Sequence, residues 1–203
     1  AAPPARRRLP RILPAVRRGN CAFTTINNTL DCNVSPNQVN ETRTAVFAQI
    51  STNSADPDFA LGSCQLNGDN RVRCRREGGF NGLNNGANVH WQTLELPALA
   101  VRQVNGNCNN LPQTINLVQA VVPANSFVLK QLTSTGTNYG DQELGTAELR
   151  NATQVVWDTG LSSGCNGSQW DIQVVELSGL SVVRGVADAG VPVTGLPAAG
   201  PNR

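Results

Sequence analysis

The chain is poor in most of what metal sites and nucleophilic active sites are built from. It has one histidine, His90, which excludes histidine-rich metal centres and leaves a single candidate base for any Ser or Cys nucleophile. Only 15% of residues are charged, so a charge-rich disordered chain is excluded. No apolar run approaches about 18 residues, so no membrane-spanning helix is encoded. Apolar heptads are broken by Gly, Pro and Asn, which removes a coiled coil. CxxC pairs, H-E-x-x-H and phosphate-cradling glycine loops are all missing. No metal or cofactor is therefore expected.

What is present points to an extracellular β protein. Six cysteines stand at 21, 32, 64, 74, 108 and 165. An even count without metal-type spacing fits disulfides, and disulfides fit an oxidising, secreted setting. Fifteen pairings are possible in principle for six cysteines; the expectation is Cys64–Cys74, Cys21–Cys32 and Cys108–Cys165. The opening Ala-Ala-Pro-Pro reads as a mature chain after removal of a signal peptide. Asn-x-Ser/Thr occurs at Asn27, Asn33, Asn40, Asn151 and Asn166, matches that an Asn-rich chain also produces by chance.

Charge is unevenly placed. Arg6, Arg7, Arg8, Arg11, Arg17 and Arg18 fall in the first 18 residues, which hold no acid. The whole chain carries +2, so residues 19–203 carry about −4. A basic arm thus precedes a mildly acidic body, to which the arm of another copy could dock. Nucleic acid is disfavoured as a partner, because the body has neither a basic stripe nor a stacking platform.

Short apolar alternations separated by Gly, Asn, Asp and Ser indicate strands. Ala45–Ile50, Leu117–Val122, Phe127–Leu132 and Gln169–Leu177 are expected strands. Two stretches repeat at an offset of 81 to 83 residues. Leu61-Gly62-Ser63 matches Leu144-Gly145-Thr146, Val72 matches Val155, and Trp91-Gln92-Thr93-Leu94-Glu95-Leu96 matches Ile172-Gln173-Val174-Val175-Glu176-Leu177. The expected fold is all-β: two tandem β-sandwich-like modules, 19–104 and 105–186, between an extended arm (1–18) and an Ala/Gly/Pro-rich tail (187–203). Asn67-Gly68-Asp69-Asn70 marks a hairpin turn, with Cys64 and Cys74 facing across it. In the second copy these cysteines become Ala147 and Trp157, a small–large apolar pair serving the same hairpin.

Each copy ends on a strand with Trp91 or Trp170 on one face and Gln92 or Gln173 on the other, closing on Glu95 or Glu176. Both faces carry apolar residues, as central strands do. These segments, with Leu180-Ser181-Val182-Val183-Arg184-Gly185, resemble the W-Q-V-V-E-L/F and V-x-R-G signature of a β-rich module often repeated in secreted and surface proteins of bacteria. The resemblance implies a module of that class. It carries no catalytic residues to transfer. Thr93-Leu94 and Val101-Arg102-Gln103 depart from the signature in the first copy.

Catalytic constellations fail on their own terms. Gly160-Leu161-Ser162-Ser163-Gly164 spells G-x-S-x-G but sits in a polar loop, without the strand and helix a nucleophile elbow requires. Glu95 and Glu176 occupy one position in two copies, whereas an acid–base pair needs two unlike environments; accepting backbone N–H groups at a strand end is the expected role. Asp56-Pro57-Asp58 and Asp69-Asn70 lack calcium-loop spacing. Trp91, Trp157 and Trp170 are expected in cores, leaving Tyr139 as the candidate surface aromatic. The chain is accordingly not expected to be an enzyme. Two functions are expected: a secreted structural subunit that assembles with other copies into a filament or surface layer, or a cell-surface adhesin or lectin that binds glycans through loops such as 79–86 and 134–141.

Overall fold

A computed structural model describes residues 14–24, 28–34, 38–52, 61–76, 86–108, 111–133, 145–158 and 169–182. Among these the chain is all-β, with two single-turn 3-10 segments, Glu41–Arg43 and Pro123–Asn125, and no α-helix. The strands are β1 (Ala15–Phe23), β2 (Thr29–Asn33), β3 (Thr44–Thr52), β4 (Gly62–Leu66), β5 (Arg71–Arg76), β6 (Ala87–Glu95), β7 (Leu99–Asn107), β8 (Gln113–Asn116), β9 (Ser126–Thr133), β10 (Thr146–Asn151), β11 (Gln154–Asp158) and β12 (Gln169–Leu177).

They form four antiparallel three-stranded sheets, ordered β1-β6-β3, β2-β5-β4, β7-β12-β9 and β8-β11-β10. The second pair of sheets repeats the first strand for strand. Phe23, Val46, Val89 and Trp91 from one sheet close on Cys32, Cys64, Leu66 and Val72 from the other in a single core. Leu132, Trp170, Ile172 and Val174 likewise meet Ile115, Leu149, Val155 and Trp157. Alternation drives this. In β6 every second residue from Ala87 to Thr93 is buried while Asn88, His90 and Gln92 are exposed.

Hydrogen bonds outside the ladders repeat as well. Val34 and Val39 donate to Asn70 and Asp69, as Leu117 and Val121 donate to Thr153 and Ala152. Thr44 Oγ1 donates to the Asn40 carbonyl, as Ser126 Oγ does to Val122. Gly68 turns the β4–β5 hairpin at φ 74°, a conformation that costs glycine little.

Three sequence expectations change. Ala15–Arg18, expected in the arm, lie in β1 and pair with β6. The expected boundary at 104/105 falls inside a strand: β7 begins at Leu99, directly after the Pro97–Ala98 turn, and pairs with β12 of the second half. Leu117–Val122 is not a strand; the Leu117 and Val121 N–H groups go singly to the β10–β11 turn, the Val122 N–H goes to Glu176, Val118 is 93% exposed, and Pro123 offers no donor to extend a ladder. Arg6, Arg7, Arg8, Arg11, Cys165, Tyr139, the Gly160–Gly164 loop, the Asp56-Pro57-Asp58 stretch and the 187–203 tail lie outside the described residues.

Candidate functional site

Four of the six cysteines staple the first module. Cys21–Cys32 ties β1 to β2 across the two sheets, with Cα atoms 5.9 Å apart, and Cys64–Cys74 links register partners on β4 and β5. Cys108 is also disulfide-bonded. In the second module the Cys64–Cys74 position holds the register pair Ala147 and Trp157.

Glu95 and Glu176 perform one task. Glu95 Oε1 accepts the Asn40 N–H at 3.2 Å and Glu176 Oε1 accepts the Val122 N–H at 3.3 Å; each acceptor holds the residue that opens a 3-10 turn. Glu95 also pairs with Arg17 at 3.1 Å. Asp31, bound by Arg73 Nε at 2.8 Å and Nη2 at 2.9 Å, is held below the usual carboxylate range chiefly by that hydrogen bond. Trp91, Trp157 and Trp170 are buried in the cores and offer no stacking platform. Among the described residues no group of three or more His, Cys, Asp or Glu is placed to hold a metal ion, and no helix is long and apolar enough to cross a membrane.

The most unusual chemistry lies between the modules. β3 and β4 are the edge strands of the first module's two sheets, and the outward face of β7-β12-β9 lies across them. Gln173, 2% exposed, clamps the β3 edge: the Val46 N–H donates to Gln173 Oε1 at 2.8 Å, and Gln173 Nε2 donates to the Val46 carbonyl at 2.9 Å. Gln131 Oε1 accepts the Cys64 N–H on the β4 edge. Ser63 and Thr133 hydroxyls meet at 2.8 Å, and Asn105 Nδ2 donates to Gln65 at 3.3 Å. Ala45, Leu99, Val101 and Val175 form an apolar cluster beside these bonds. Strand edges that would otherwise invite pairing are thereby covered by side chains. Asp171 is buried here, which pushes its carboxyl above the usual range; the Ser63 hydrogen bond and the Arg75 charge oppose that shift without cancelling it.

The outward face of β1-β6-β3 is built to the same plan. Register sets Leu94 between Val16 and Ala45, Gln92 between Arg18 and Phe47, and His90 between Asn20 and Gln49. The corresponding rows on β12 are Val175 between Val101 and Phe127, Gln173 between Gln103 and Leu129, and Asp171 between Asn105 and Gln131. The second face is covered. The first leaves Gln92 and His90 exposed, with Val16 at 48% and Phe47 at 40% exposure. A groove of about 490 Å³ runs along it, between Phe47, Gln49, His90 and Gln92 on one side and Leu129, Lys130 and Gln131 on the other.

Sequence reasoning placed Gln92 and Gln173 on matching strands but missed the clamp. The available signal was their shared phase, opposite to the tryptophans, on a face whose next row also keeps Gln49 and Gln131 in step. No protein-family model, curated protein or solved structure matches the chain.

Proposed function

We propose that this chain is a secreted structural subunit that assembles with copies of itself into an extracellular filament or surface layer. One observation carries the proposal. The joint between the modules joins a face to a pair of edges, two unlike surfaces, and each module carries both. One joint therefore leaves a face at one end of the molecule and a pair of edges at the other. Contacts of this heterologous kind, when they do not close, produce open fibres. The disulfides fit an oxidising exterior. The resemblance of both copies to a repeated module of bacterial surface proteins supports the same proposal.

The arm adds a second attachment. Arg6, Arg7, Arg8 and Arg11 precede β1, and subtracting them from a net +2 leaves a body near −2 that could receive them. Negative-stain microscopy of the purified chain at rising concentration tests the proposal. Elongated assemblies are expected, and deletion of residues 1–13 is expected to shorten them. A chain that remains solitary at every concentration rejects the proposal.

A second function, glycan binding by a surface adhesin, is favoured by the groove itself, where exposed Phe47 lies beside Gln49, His90 and Gln92. Sugar sites combine an aromatic face with planar polar groups in this way. Retention on a glycan array, lost in Phe47→Ala, would favour it over assembly.

A further inference from the structure

We infer that the outward face of the β1-β6-β3 sheet seats the β9 and β10 edges of a second copy of this chain, reproducing between molecules the joint that links the modules within one. The inference rests on the structural-subunit proposal and names its contact. Residues are carried from the known joint to the new one by the register of the two halves.

The clamp comes first. Gln173 holds the Val46 backbone; its counterpart is Gln92, and the counterpart of Val46 is Val128 on β9. Gln92 is exposed and Val128 lies on an edge strand. The flanking bonds also have partners. Gln131 to the Cys64 N–H becomes Gln49 to the Ala147 N–H, and Thr133 with Ser63 becomes Ser51 with Thr146. Side-chain length and hydrogen-bonding type are kept at both positions.

Charge supplies an independent argument. In the existing joint Asp171 feels the Arg75 charge. The counterpart of Asp171 is His90 and the counterpart of Arg75 is Asp158. Register places them so: Ser63 faces Arg75 across β4–β5, and Thr146 faces Asp158 across β10–β11. The acid has moved to the other side of the contact, and opposite it His90 offers an imidazole that can donate a hydrogen bond. Gln65, which meets Asn105, becomes Glu148, which would meet Asn20 beside Arg18. Paired substitutions that move the carboxylate to the opposite surface and leave a donor facing it are what a contact between those surfaces requires.

The β9 edge favours a face over a strand as its occupant. Lys130 stands where the first module has Ala48. It turns inward, with Nζ 4.3 Å from the centre of the Trp157 ring and donating to the Gly145 carbonyl. An inward-pointing lysine on an edge strand discourages addition of another strand. A seated side-chain face needs no such addition.

Charge exchange tests the contact. Sedimentation velocity is run on the wild-type chain, His90→Asp, Gln92→Ala and the double variant His90→Asp/Asp158→Arg, with folding checked by thermal unfolding. Aspartate already occupies the equivalent strand position at Asp171, so His90→Asp suits its strand. Both single variants are expected to raise the concentration needed for association by about tenfold or more, and the double variant to restore it to near wild type. If the wild-type chain associates and both single variants match it, the contact is overturned while the subunit proposal stands. If the single variants lose association and the double variant does not recover it, the His90–Asp158 pairing is overturned. A solitary wild-type chain rejects the subunit proposal itself.

Discussion

Asp171 shows how one residue records the cost of the joint. Its neighbours Trp170 and Ile172 point into the second core, while Asp171 points the other way and is still only 4% exposed. Burial raises its carboxyl above the usual value near 3.9. A raised folded-state value means that the folded protein holds the proton more tightly than the unfolded chain. The resulting stability is present in full below about pH 4 and is lost as pH climbs through the raised value. Oδ1 also lacks a hydrogen-bond partner. Asp171→Asn is therefore expected to stabilise the protein at neutral pH by on the order of 1 kcal/mol, with the gain shrinking in acid. Urea denaturation at pH 7 and pH 4 checks this; an equal effect at both would dissociate it from ionisation.

Strands show two solutions to one packing problem. Gly19 on β1 lies under Trp91, its register partner on β6, where a Cβ would collide with the ring. The second module keeps the glycine–tryptophan pair but shifts it two residues along both strands, to Gly106 and Trp170. Two residues is one repeat of the strand, so both side chains stay on the inner face. The shift puts Gly106 at the counterpart of Cys21 and Trp170 at that of Val89. Indole thus fills space near the place where the first module has Cys21–Cys32, and Trp157 fills that of Cys64–Cys74. At these two positions packing in one half stands where covalent staples stand in the other, while Cys108 keeps a disulfide in the second half. Gly106→Ala would set a Cβ 2.6 Å from Trp170 Cζ2, and it is expected to cost about 1–3 kcal/mol. Gly86→Ala, with its nearest neighbour at 3.7 Å, is the near-neutral comparison in thermal unfolding.

Across the whole molecule, the Gln173 clamp ties two cores that could otherwise unfold separately. Both Val46 backbone groups depend on one side chain. Gln173→Ala leaves a buried donor and a buried acceptor without partners, at about 1–3 kcal/mol each. The expected outcome is a lower midpoint and a calorimetric transition that splits in two, with faster hydrogen exchange at the Val46 amide. An unchanged single transition would place the coupling in the apolar cluster around Leu99 and Val101 instead. The same reasoning governs assembly, since a second copy would repeat the clamp through Gln92.

Much of this architecture was legible in the residues. Alternation located β6 and β12 and separated Trp from Gln by phase. The Asn-Gly turn set the hairpin register that brings Cys64 to Cys74, because turn chemistry and side-chain period are both local. Partnership was not local. Residues 99–104 read as the end of the first module; only pairing with β12 assigns them to the second half. Leu117–Val122 has strand composition, yet its Leu117 and Val121 donors go to a turn distant in sequence and its Val122 donor to a Glu176 side chain. The joint was hidden for a similar reason. A Gln in a strand declares which face it occupies, and only the packed structure decides whether that face meets water or the edge of another module.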